Sequence, residues 1–144
     1  MVSETEVGKF TFSLRVSHPT LTADDIEVRV GQVARHKINA GDMRTRKDGS
    51  PLPNSSPVKD SLCCFEDVEG PGATLGDALL TAARRIEARG EAFTDLIAEG
   101  CDADFYVGYF LGRSGNDFSI EPELSALLAK LSIRLSICPY DHIE

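Results

Sequence analysis

The sequence predicts an α+β protein, a ferredoxin-like two-layer sandwich with a mixed sheet of about five strands, helices on one face and two βαβ-like units. Three observations lead there. Apolar residues alternate with polar ones at Phe10–Val16 and again at Ile133–Ile137, the period of a half-buried strand. Apolar stripes at helical spacing run through 75–97 and 124–131. Finally, the order strand, polar turn, acid-started helix, strand occurs twice, from Phe10 to Ile38 and from Phe105 to Ile137. A right-handed crossover in each unit puts the helices on one side of the sheet.

Taken in order, Phe10, Phe12, Leu14 and Val16 alternate with Thr11, Ser13 and Arg15, so one face of the first strand is apolar and the other open. Thr22 precedes Asp25 at capping-box spacing and Gly31 supplies a left-handed stop, which fits a short helix over Ala23 to Val30. Val33 to Ile38 forms a second strand. The polar stretch Asn39 to Ser56 then carries Gly41, Gly49, Pro51 and Pro53 and reads as a long surface loop. Ser61 to Val68 is a third strand, closed by "EGPGA".

Thr74 caps the next helix, whose stripe is Leu75, Leu79, Ala82, Ile86, Phe93 and Leu96 or Ile97, with a kink or break expected at Gly90. "DFYVGYFLG" follows as a strand apolar on both faces, suited to a central position or to a homodimer contact. Pro122 opens a last helix striped by Leu124, Leu127, Leu128 and Leu131. A strand with Ile133, Leu135 and Ile137 ends the domain. These elements place a flexible N-terminus at 1–9, one domain at 10–140 and a C-terminal tail at 141–144.

The 144 residues suffice for one core, and the formal charge of −8 opposes phosphate backbones and anionic membranes, so neither nucleic acid nor membrane is an expected partner. The polar start of the chain and the shortness of its apolar runs point to a cytoplasmic protein. Cys63, Cys64, Cys101 and Cys138 lack ligand spacing and sit in apolar segments, so they read as reduced, with no metal and no cofactor expected.

"SHPTLTADDIEVRVG", then "AGD" with "KDGSPLP", and finally "ELSALLAKLSIRLSICPY" are similar to the bacterial domain of unknown function 4279 family, over about Phe10 to Tyr140. The resemblance implies a shared α+β architecture and assigns no reaction. Many members carry Trp around the third strand, where this chain has Leu62, Cys63, Cys64 and Phe65.

Functionally, Arg44, Arg46 and Lys47 form a basic group on an acidic chain and are candidates for holding a small anionic ligand or an acidic partner protein. Arg15 and Arg134, on the open sheet face, and His18, at a strand end before Pro19, join them as candidate binding residues. "GDMRTRKDGS" lacks phosphate-loop spacing, and His18, His36 and His142 stand in no catalytic motif. The favoured reading is therefore a non-enzymatic protein-interaction or ligand-binding domain. Two alternatives are an immunity-type inhibitor of a basic toxin, and a small-molecule enzyme using His18 or His36 as acid or base with Arg44 or Arg46 on an anion. No residue is assigned a catalytic role.

Overall fold

The computed structural model describes residues 9–53, 56–69, 74–110 and 118–140, with only the backbone considered at Lys9 and at 66–69. The expected tails, including His142, and most of the "EGPGA" turn lie outside these residues. Among them the chain is α+β, with five strands in one mixed sheet and four helices. In chain order these are β1 (Lys9–His18), α1 (Ala23–Val30), β2 (Ala34–Ile38), β3 (Ser61–Glu69), α2 (Leu75–Glu87), α3 (Ala92–Ala98), β4 (Asp102–Phe110), α4 (Pro122–Leu131) and β5 (Arg134–Tyr140).

The strands lie in the order β2-β3-β1-β4-β5. β1 is flanked on both edges by antiparallel partners, with His18 opposite Ser61 of β3 and Ser17 opposite Asp102 of β4. β4 and β5 run parallel and adjacent, a pairing that requires the crossover supplied by α4. The first expected βαβ unit differs: β1 and β2 run the same way, but β3 returns antiparallel between them and bonds to both. Sequence repetition could not distinguish a split unit from an adjacent one.

Alternation along β1 decides where the core sits. Phe10, Phe12, Leu14 and Val16 are buried and cluster with Cys63 and Phe65 of β3, with Phe105 and Val107 of β4, and with apolar residues of all four helices. Phe12 meets Phe105 edge-on, ring centroids 5.7 Å apart. The expected aromatic strand divides by the same rule. Phe105 and Tyr109 enter the core, whereas Phe110 is 38% exposed and stacks on Tyr140 with centroids 4.8 Å apart.

Helix ends follow their sequence signals closely. Thr22 and Thr74 accept hydrogen bonds from the backbone N–H groups of Asp25 and Asp77, and Gly31 closes α1 in the left-handed region at φ 80°. The long expected helix breaks at Gly90, φ 76°, giving α2 and α3. Within α2 it is Ala83 that is fully buried, one position on from the expected Ala82, because the stripe follows the 4-4-3 spacing of Leu75, Leu79, Ala83 and Ile86. Val33, expected in β2, precedes it and is 86% exposed.

Cross-links tie α1 to the sheet and to the end of α3. The Lys37 ammonium of β2 reaches Asp24 (2.9 Å) and Glu27 (3.1 Å) of α1, and Arg29 pairs with Glu99 just beyond α3. Replacing the core ring, Phe105→Ala, is expected to cost about 3–5 kcal/mol. Val28→Ala, on the exposed side of α1, should stay within about 0.5 kcal/mol. Equilibrium urea unfolding measures both, and equal losses would mean that the helices do not cover this sheet face as described.

Candidate binding groove on the sheet face opposite the core

The sheet face opposite the core carries Thr11, Ser13, Arg15 and Ser17 of β1, all partly exposed. Cross-strand register places Cys64 and Asp104 on either side of Arg15, and Arg134 beyond Asp104. At the centre of this face Arg15 holds Asp104 bidentately, Nε to Oδ1 at 2.9 Å and Nη2 to Oδ2 at 2.5 Å, while the Ser136 hydroxyl donates to Oδ2 at 2.8 Å. The Arg15 guanidinium also lies 4.2 Å from the centroid of the Tyr106 ring. Burial alone would raise the Asp104 pKa, but the hydrogen bonds and charges of Arg15, Ser136 and Arg134 outweigh it and hold the carboxyl below the usual aspartate range.

The segment expected to be a long polar surface loop has a hydrogen-bonded build of its own. At its base the Gly41 N–H donates to Val58 O (2.8 Å) and the Val58 N–H to Asp42 O (2.9 Å). Further out, the Leu52 N–H donates to Arg44 O (3.2 Å) and Thr45 bridges Pro51. A turn then closes through the Arg46 N–H to Ser50 O at 2.7 Å, with the Asp48 carboxylate accepting from the Ser50 N–H and hydroxyl. The base is pinned to the domain, since the Ala40 N–H donates to buried Ser61 Oγ (2.9 Å) and Asn39 Oδ1 accepts from the Ala23 N–H at the start of α1 (2.7 Å). The result is a hairpin-like finger over the β2–β3 side of the sheet.

Between finger and sheet lies a groove of about 920 Å³. Ile38 and Leu62 form its sheet side, Met43, Leu52 and Val58 its finger side, and His36, Arg44 and Lys59 supply cationic or ionisable groups beside Asp60. Ser17 and Leu62 also line a second, polar depression of about 120 Å³ bounded by Arg15, Asp102, Asp104 and Arg134. The two depressions therefore adjoin at Ser17 and Leu62.

The expected site residues fall into three groups. Arg44 lines the groove, whereas exposed Arg46 and Lys47 stand at the finger's turn outside its lining; none of the three is in an ion pair with a described residue. Arg15 and Arg134 are on the open face as expected, but each is engaged, Arg15 with Asp104 and Arg134 with Asp102 at 3.0 Å. His18 stands apart. It is buried, its Nδ1 accepts from the Thr20 and Leu21 N–H groups (3.0 and 2.9 Å), and its Nε2 donates to the Glu99 carbonyl (2.9 Å). Both nitrogens are thus committed to main-chain groups, and the ring serves the β1–α1 turn. His36 lies on the groove side of β2, so the two histidines offered as alternatives do not share a site.

Three thiols, those of Cys63, Cys64 and Cys101, are held neutral. Burial pushes Cys63 up to about 11 and raises Cys64 and Cys101 as well. Among the described residues no cluster of metal-binding side chains occurs, and no helix is long and apolar enough to cross a membrane.

Sequence reasoning missed Asp104 and the apolar finger residues. Asp104 had a readable signal, an acid at the start of the apolar run "DFYVGYFLG". Met43 and Leu52 were the rare apolar residues of a polar segment, but nothing local says that they turn toward a sheet. In comparison with known proteins, no family model, curated protein or solved structure matches the chain.

Two measurements check this geometry. Arg15→Ala leaves the Asp104 carboxylate, 7% exposed, without its main partner, and should cost about 2–3 kcal/mol; a fully buried pair loses about 3–5, and Arg15 keeps 37% of its side chain in water. Because the folded Asp104 pKa is depressed, its contribution is fully present above the ordinary aspartate value of about 3.9 and drains away as pH falls through the folded value. Asp104→Asn should therefore flatten the stability loss of the wild type below about pH 4, read as the difference between the two acid limbs. The triple change Arg44, Arg46 and Lys47 to Ala should shift stability by no more than about 0.5 kcal/mol per site. A larger loss would show these side chains supporting the fold.

Proposed function

We propose that the protein is a non-enzymatic binding domain that uses the groove between the finger and the sheet to hold a ligand or partner bearing both apolar and anionic groups. The observation that carries this is the groove's composition: an apolar lining of ligand-site size with Arg44 and Lys59 at its border, on a chain of formal charge −8. A cationic border on an acidic molecule concentrates anionic partners at one place and repels them elsewhere. Commitment of both His18 nitrogens to the backbone and the raised thiol pKa values favour binding over catalysis.

The same proposal includes the finer architecture. The order β2-β3-β1-β4 of the first four strands supports a ferredoxin-like two-layer sandwich, to which α4 and β5 add a parallel edge. The likeness to the domain of unknown function 4279 family belongs with it and rests on the motifs between His18-Pro19 and Tyr140.

Anilinonaphthalene sulfonate, an apolar dye with one anionic group, is a direct probe. Its fluorescence should rise saturably with one site per chain, weaken severalfold in Arg44→Ala/Lys59→Ala, and be lost in Leu62→Asp while near-ultraviolet circular dichroism stays native. Non-saturable binding, or saturable binding indifferent to Leu62→Asp, would remove the groove as the site.

A further inference from the structure

We infer that the occupant of this groove is an extended, acidic and apolar peptide segment of a partner protein, laid across the strands from the finger toward β5. The inference rests on the binding reading above and gives the ligand its class.

Length is the first argument. The depression under the finger adjoins, at Ser17 and Leu62, the one bounded by Arg15 and Arg134, so a segment laid through both spans the sheet from β2 to β5. Neighbouring strands stand about 4.8 Å apart, which makes the track about 19 Å long, the span of about six extended residues at about 3.3 Å each. The larger depression, about 920 Å³, already reaches the upper end of the ~300–1,000 Å³ of small-molecule pockets before the second is counted. A compact metabolite leaves most of it unfilled.

Charge is the second. Arg44 and Lys59 at the finger end make no ion pair with a described residue, whereas the arginines at the far end are matched by Asp102 and Asp104. An incoming acidic side chain gains most at the finger end, and the chain's overall formal charge of −8 keeps it from settling elsewhere. Ile38, Leu62 and Met43, lying between, offer apolar contact for the next residues of the same segment. At the polar end the paired arginines and aspartates suit backbone amide groups, which both donate and accept.

The test pans a phage-displayed library of random octapeptides on the immobilised full-length protein, with synthetic versions of enriched sequences measured by fluorescence anisotropy. Sequences joining Asp or Glu to Leu, Ile or Phe should be enriched. Their binding should fall at least tenfold in Arg44→Glu/Lys59→Glu, and panning that variant should enrich Lys- or Arg-bearing sequences instead. This exchange of preference also certifies that the variant is folded. No enrichment, or enrichment of basic or uncharged sequences on the wild type, overturns the peptide assignment. If the dye still binds saturably at Leu62 in that case, the groove stands and its ligand is a small amphiphile; if the dye fails as well, both readings fall together.

Discussion

The position of β1 is the constraint from which the other parts follow. It hydrogen-bonds on both edges, to β3 and to β4, and its alternation sends Phe10, Phe12, Leu14 and Val16 to the core. A slip of one residue against either neighbour would turn those four side chains to the opposite face and bring Arg15 into the core. The core thus fixes the register, and the register fixes what stands on the other face. Arg15 comes to lie beside Asp104 because Leu14 and Phe105 must both be buried.

That pairing shapes the site in an indirect way. A buried carboxylate is costly unless charge and hydrogen bonds compensate it, and Arg15 with Ser136 provides both. Arg15 is consequently occupied, by Asp104 below and by the Tyr106 ring alongside, so it is a poor receptor for a further anion. The same holds in weaker form for Arg134 with Asp102. Sequence reasoning grouped these arginines with those of the finger as candidate binding residues. The structure separates them into paired charges that organise the sheet face and finger charges without an ion pair to a described residue, of which Arg44 lines the groove.

What was legible in the sequence was local. Element order, the caps at Thr22 and Thr74, the stop at Gly31 and the break at Gly90 follow from side-chain and backbone chemistry within a few residues. The open face of β1 was legible for the same reason. The insertion of β3 between β1 and β2 was not, because pairing across that distance leaves no periodic trace. The role of His18 was hidden similarly: the two N–H groups it accepts from are near in sequence, but the Glu99 carbonyl that fixes its tautomer comes from the far side of α3. The groove was least legible of all, since it exists only where a polar finger and a sheet face meet.

The finger's build explains how such a site can tolerate change without endangering the fold. Its base is tied to the domain through Ser61, which is buried, and through Asn39, which satisfies a backbone donor at the start of α1. Losing either contact would leave a polar group of the domain itself without its partner, so the base is coupled to folding. Beyond Gly41 and Val58 the finger is shaped by backbone bonds and by the Asp48 carboxylate accepting from Ser50, and the side chains of Arg44, Arg46 and Lys47 are exposed. Substitutions at those three positions alter the charge the finger presents while the bonds that shape it persist. Binding preference can therefore be rewritten at the finger while stability is set by the alternation of β1, and the two properties meet at Ser17, His36, Ile38 and Leu62, where the groove is walled by the sheet itself.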